Sequence, residues 1–276
     1  MVNEIIAHIR RSVAVGIDGS PASLQAARWA AGEAVRRGGP LRLVAAAMSP
    51  MLQPMGVEQV APARTRDALT GAAAEALADA AAAAAEVAPG LEIVRELRGG
   101  SAPLVLMAES EWAGVLVVGT RGRGRIGAFL SGSMAVAVTA IALSPVVVVR
   151  GDLDDAGLPG APVIVAADGS AAGSAAHRFA ADAAAARKAP LVVVHSGTEQ
   201  VPLDETVSVV GPPVEHVARA EDARQVLPEL SHGAALVVVG VGSRGRRLDG
   251  PAAPVVRELL RTSACPVAVI RHLPSR

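Results

Sequence analysis

A single cysteine, Cys265, and a single lysine, Lys188, stand in a chain of 276 residues. One thiol excludes an intrachain disulfide framework and any multi-cysteine metal site, and it fits a reducing compartment, the cytoplasm by default. One lysine, preceded by Arg187, excludes a Gly-Lys-Ser/Thr phosphate loop, so any phosphate has to be held by backbone N–H groups, hydroxyls and arginine. Two Phe, two Trp and no Tyr leave few platforms for base stacking, and acidic and basic residues balance at 26 each. Both facts argue against nucleic acid as a partner. No run of 18 apolar residues occurs, and Met1 to Arg11 contains no signal-like apolar core, so a membrane span and secretion are not expected. The histidines His8, His177, His195, His216, His232 and His272 form no H-E-x-x-H and no closely spaced pair, which argues against metal-dependent hydrolysis.

What is present is apolar material and a duplication. Hydrophobic residues make up 51% of the chain against 19% charged, enough for packed cores, and the length suits two domains. Val13-Ala-Val-Gly-Ile-Asp-Gly-Ser20 is answered by Val163-Ile-Val-Ala-Ala-Asp-Gly-Ser170, an offset of 150 that also aligns Ala26 with Ala176, Arg28 with Arg178 and Leu43 with Val193. Further on, Val115-Leu-Val-Val-Gly119 is answered by Leu236-Val-Val-Val-Gly240, and Pro145 to Arg150 by Pro266 to Arg271, both at an offset of 121. The second copy has therefore lost residues from its middle. The expected division is a first domain over 1–151, a linker over 152–162 rich in Asp, Gly and Pro, and a shortened second domain over 163–276.

Short β-branched runs alternate with longer alanine-rich segments, which predicts strands alternating with helices. In the first half the strands are expected at Val13–Ile17, Leu41–Ala47, Leu91–Leu97, Val115–Val118 and Val146–Arg150. Helices are expected from Pro21, behind a Ser20 cap, to Gly38-Gly39, from about Thr65 to Val87, from Ala102 to Glu111 and from Gly132 to Ala142. Strands apolar on successive residues are buried on both faces, which implies a five-stranded parallel α/β sheet sandwiched by helices in each half. In the second half Ser196 to Pro213 is too short and proline-rich for the long helix, so that helix is the expected deletion.

Ligands of such sheets bind at the carboxyl ends of the strands. Gly16, Asp18 and Ser20 follow strand one there, and Gly119-Thr120-Arg121-Gly122-Arg123-Gly124-Arg125 follows strand four and leads to Gly132-Ser133 at a helix start. Glycines let backbone N–H groups approach an anion, Ser133 offers a hydroxyl and the helix start adds partial positive charge. The motif Gly119-x2-Gly122-x9-Gly132-Ser133, with the V-G-x-D-G-S opening and the Pro-Val-Val-Val-Val-Arg end, resembles the universal stress proteins, in a tandem form covering both halves. The resemblance implies a Rossmann-like fold of the adenine nucleotide α-hydrolase type. It also implies ATP as ligand, alone or with Mg2+, with Asp18 on the nucleoside and Ala46 and Met134 joining the glycine-loop residues around it.

The second half departs from that pattern. Asp168, Gly242, Ser243, Arg244 and Gly245 are retained, but nine residues past Gly245 the Gly-Ser pair is absent, Ala253-Pro254 or Val255-Val256 standing there instead. Pro254 would remove an N–H donor and Asp249 would add negative charge, so a second site is expected to be weak or empty. Two rival readings stand beside ATP binding. Gly122-x-Gly124-x-x-Gly127 fits a dinucleotide fingerprint and an NAD-dependent oxidoreductase, but the next acidic residue is Asp152, beyond strand five. Slow ATP hydrolysis or phosphoryl transfer would need a base, for which Asp18 is the carboxylate at hand; no catalytic residue is assigned. The implied role is regulatory, in stress response, with an adenine nucleotide, a regulatory protein partner and a homodimer as candidate partners. The apolar strands at 145–150 and 266–271 are expected to pair with each other, since either is an aggregation hazard left open. His195 is expected to be packed or hydrogen-bonded, and Cys265 buried and inert.

Overall fold

The computed structural model describes residues 8–47, 63–120, 132–150, 160–196, 213–244, 247–248 and 252–272. The chain divides into two compact units, one of residues 1–119 with 142–144 and one of 120–141 with 145–276. Strand five of the first sequence copy is thus grouped with the second.

In the first unit, β1 (Val13–Ile17) leads into α1 (Pro21–Arg37), β2 (Leu41–Ala47), α2 (Ala63–Val87), β3 (Ile93–Gly99), α3 (Ala102–Ser110) and β4 (Val115–Thr120), whose last residue falls in the other unit. The strands lie in the order β3-β2-β1-β4, all parallel. Helix α1 starts where Ser20 accepts from the Ser23 N–H with Pro21 next, and it stops at Gly38 in the left-handed region (φ 61°). Strand three begins two residues later than its apolar run, because Gly90 takes a φ of 83° and the Leu91 N–H is spent on the Ala88 carbonyl, which makes Leu91 part of the turn. Every residue of β4 is buried, as a strand covered on both faces requires.

The second unit holds α4 (Gly132–Ile141), β5 (Val146–Arg150), β6 (Val163–Ala167), α5 (Ala171–Arg187), β7 (Leu191–Ser196), β8 (Val214–Arg219), α6 (Ala223–Leu230), β9 (Leu236–Arg244), β10 (Arg247–Leu248), α7 (Ala252–Thr262) and β11 (Val267–His272). Its strands run β5-β11-β9-β6-β7-β8. β6 to β9 therefore repeat the order of β1 to β4, with β11 as strand five. The described residues hold no helix between β7 and β8; 197–212, where the deletion is expected, lie outside them, as do 152–159 of the linker expected over 152–162.

The expected meeting of the two terminal strands is found. β5 runs antiparallel to β11 with Val148 opposite Val267 and Val146 opposite Val269, all five residues of β5 are buried, and the Arg150 guanidinium donates to the Leu260 carbonyl at 2.7 Å. Each strand edge is closed by the other copy's equivalent.

The two copies share their joints. Ser110 Oγ accepts from the Leu143 N–H and Ser231 Oγ from the Ala264 N–H, both at 2.9 Å and both linking the end of the helix after a copy's third strand to the turn before its last strand.

Candidate functional site

The order of strands reverses between β1 and β4, and the space beyond their carboxyl ends is the usual ligand position of such sheets. Asp18 follows β1 and is exposed there. Its Oδ1 accepts from the Ser20 N–H at 3.0 Å and from the Ser20 hydroxyl at 2.6 Å, while Ser20 Oγ accepts from the Ser23 N–H at 3.2 Å. The serine caps α1 and the aspartate fixes the serine. Capping thus falls to Ser20, and Asp18 Oδ2 takes no part in the turn.

Gly119, near the end of β4, lies against the first turn of α1. A Cβ there would collide with the Ala22 carbonyl oxygen and stand 2.9 Å from the Ser23 nitrogen, so only glycine allows the strand end and the helix start to approach this closely. Gly16 is less constrained, since a Cβ would come 3.1 Å from the flexible end of Leu106. Ala46 is half-buried near the end of β2, next to β1. The first unit therefore brings Gly16, Asp18, Ala46 and Gly119 to the same ends of neighbouring strands. Thr120, buried, belongs to the second unit, as do Gly132, Ser133 and Met134, which open α4; Met134 is half-buried. Arg121, Gly122, Arg123, Gly124 and Arg125 lie outside the described residues, and with them Gly127 of the dinucleotide fingerprint.

In the second copy the turn after strand one is rebuilt almost atom for atom. Asp168 Oδ1 accepts from the Ser170 N–H at 3.0 Å and its hydroxyl at 2.7 Å, and Ser170 caps α5 through the Gly173 N–H at 2.9 Å. Gly240 repeats Gly119, a Cβ there meeting the Ala172 carbonyl. Beyond that glycine the second copy continues as a strand. Gly242, Ser243 and Arg244, which the sequence offers for a weak second site, extend β9, with Gly242 in register with His272 of β11 and Arg244 opposite Arg247 of β10. The physical reason is a longer partner strand and a hairpin return, which together occupy backbone groups that a loop would leave for a ligand. Gly245 lies outside the described residues.

The sequence reading missed a charge cluster on the α3 face of the first sheet. Glu109 is buried and joins Arg42 with Arg98, the latter at 3.1 Å; Glu96 also bridges the two arginines, at 3.2 Å from Arg42. The cluster lines a cleft of about 500 Å3 with Ser12 and the exposed Trp112. Its signal in the sequence is charge inside strands, at Arg42, Glu96 and Arg98. Elsewhere, His195 is hydrogen-bonded to His216, and burial first, then the neighbouring imidazole, lowers its pKa below the ordinary histidine value. Cys265 is fully buried, which pushes its thiol up to about 12 and leaves it inert at neutral pH.

Residues 10–150 match the model of the universal stress protein family. The universal stress protein Rv2623 of Mycobacterium tuberculosis is 31% identical over 298 aligned residues, which cover 94% of this chain and 96% of that one. A universal stress protein of Mycolicibacterium smegmatis is 33% identical over 184 residues, 66% of this chain and 63% of its own length, so the chain spans just under two thirds of that relative. Among solved structures, a universal stress protein from Archaeoglobus fulgidus superposes with a TM-score of 0.77 at 17% identity, covering 95% of this chain and 98% of that one, which carries the tandem fold across both halves. With the duplicated parallel sheet and the motif that follows β4, these likenesses place the chain in the universal stress protein family.

Proposed function

We propose that the first copy binds an adenine nucleotide, ATP in preference to NAD, and that the chain acts as a regulatory protein rather than an enzyme. The observation that carries this reading is Gly119, the first residue of the motif Gly119-x2-Gly122-x9-Gly132-Ser133, held against the α1 start beside the Asp18 turn. Asp18, with an oxygen outside the turn, suits a ribose hydroxyl. The glycines suit a phosphate chain, for which backbone N–H groups must substitute for the lysine the loop lacks. ATP is the ligand proposed, alone or with Mg2+, in a cytoplasmic setting; no described helix is long and apolar enough to cross a membrane.

Binding shifts an equilibrium only through unequal affinity for its two states. The proposed output is therefore a change of conformation or of assembly, read by a second copy of the chain or by a regulatory protein partner. The test is Gly122→Val with Gly132→Val in the full chain. ATP binding by calorimetry is expected to vanish while the circular dichroism spectrum stays that of the wild type, and NAD is expected to bind the wild type far more weakly than ATP. Retained ATP binding in the folded double variant, or tighter binding of NAD, overturns the reading.

A further inference from the structure

β8 ends one side of the second sheet, and of its residues only Val217 is even half-buried. The first copy differs at the same place. There Gly16 faces Leu106 of α3, so Ile17 and its register partner Ala45 face the other way, toward the side on which α1 and α2 pack, and Ala45 is buried. The second copy has His195 where the first has Ala45, and His216 where the first has Arg95. With Val193 in register with His216, the two histidines lie on one face of adjacent parallel strands, as diagonal neighbours. Their sequence separation of 21 hides this pairing from any search for closely spaced ligands.

The spacing suits a chelating pair. His195 Nε2 and His216 Nδ1 are 3.3 Å apart, with ring centroids at 5.6 Å and an interplanar angle of 28°. Two nitrogens each about 2.0–2.1 Å from one tetrahedral zinc ion are separated by about 3.3–3.4 Å, so the spacing already matches an edge of the coordination tetrahedron. Both rings are anchored on strands rather than loops, which limits the reorganisation that binding requires. His216 is exposed and His195 half-buried, so an ion can reach them. Their neighbours on that face, Val193, Val214 and Ala218, are apolar, and no third His, Cys, Asp or Glu joins them among the described residues.

We propose that His195 and His216 form a two-histidine site for a divalent first-row transition metal of the zinc class, its remaining coordination positions taken by water or a small exogenous ligand. In the free protein one ring donates its N–H to the lone pair of the other. On binding, that proton moves to the far nitrogen of its own ring, His195 Nδ1 or His216 Nε2. Two neutral imidazoles then donate two lone pairs with no net loss of a proton. The site is independent of the nucleotide reading.

The test is titration of the tag-free full chain with Zn2+ followed by calorimetry, beside His195→Gln and His216→Gln. One site per chain is expected, weakened at least tenfold by either substitution, with Cu2+ bound more tightly than Zn2+ as the divalent series requires. Long-range imidazole nitrogen spectra of the wild type are expected to move at the two facing nitrogens alone, a readout that holds even if a variant fails to fold. Absence of Zn2+ binding, binding unchanged by either substitution, or shifts confined to other histidines overturns the proposal.

Discussion

The two copies within this chain share the turn after their first strand and the glycine that packs against it, and the second copy follows that glycine with a strand where the sequence motif of the first has a glycine run. Asp18 and Asp168 make the same turn with Ser20 and Ser170, and Gly119 and Gly240 press equally close to a helix start. After Gly240, β9 runs on to Arg244 and folds back as β10, while in the first copy the residues from 121 to 131 lie outside the described ones. The lesson is that the turn after strand one is a folding device first. It survives where the glycine run that should accompany it has become a strand, so an Asp-Gly-Ser turn alone is poor evidence of a ligand.

The charge cluster offers a second contrast. Where the first copy has Arg42, Glu96 and Glu109, the second has Val192, Val217 and Leu230. Glu109→Ala leaves Arg42, only 16% exposed, and Arg98, half exposed, sharing Glu96 as their carboxylate, and is expected to destabilise the chain by about 3 kcal/mol, the low end for a broken buried pair because Glu96 still pairs with both and Arg98 keeps solvent. Replacing Arg42, Glu96 and Glu109 together by the second copy's Val, Val and Leu is expected to cost far less. Denaturant unfolding of the single and triple variants decides whether the cluster is merely a structural substitute for an apolar core. A triple variant as unstable as the single one would assign the charges another task.

Gly119→Ala and Gly240→Ala probe the shared joint, each placing a methyl group on a carbonyl oxygen, and each is expected to cost about 2 kcal/mol of stability. Only the first is expected to affect nucleotide binding. Ser20→Ala and Ser170→Ala remove the caps at a cost of about 1 kcal/mol each, with the Ser20 change the larger, since Ser20 is buried and Ser170 exposed. Smallest is Lys188→Gly. Lys188 holds the left-handed position (φ 52°) that Gly38 occupies in the first copy, and glycine there is expected to raise stability by up to about 1 kcal/mol, read as a higher thermal midpoint.

Much of this architecture was legible in the sequence because its determinants are local. Ser20-Pro21 and Gly38 bound α1 by capping chemistry, and the unbroken apolar runs at Val13–Ile17 and Val146–Arg150 announce strands covered on both faces. The pairing of β5 with β11 followed from the duplication and from the hazard of an open apolar edge. What escaped depends on register. Arg42 and Glu109 stand on elements 67 residues apart in the chain, and His195 meets His216 only once β7 and β8 are aligned. Gly242 to Arg244 look like a loop from composition, and the reach of β11 to His272 together with the return of β10 makes them a strand. Of the candidate nucleotide residues, Gly16, Asp18, Ala46 and Gly119 lie at the same ends of neighbouring strands, while the run from Arg121 to Arg125 falls outside the described residues.

The central claim is that one copy keeps a nucleotide site and the other keeps only its scaffold. Calorimetric titration of the full chain with ATP tests it most directly. One tight site per chain, abolished by Gly122→Val with Gly132→Val and untouched by Asp168→Ala, is the predicted result. Two equivalent sites, or none, would contradict it.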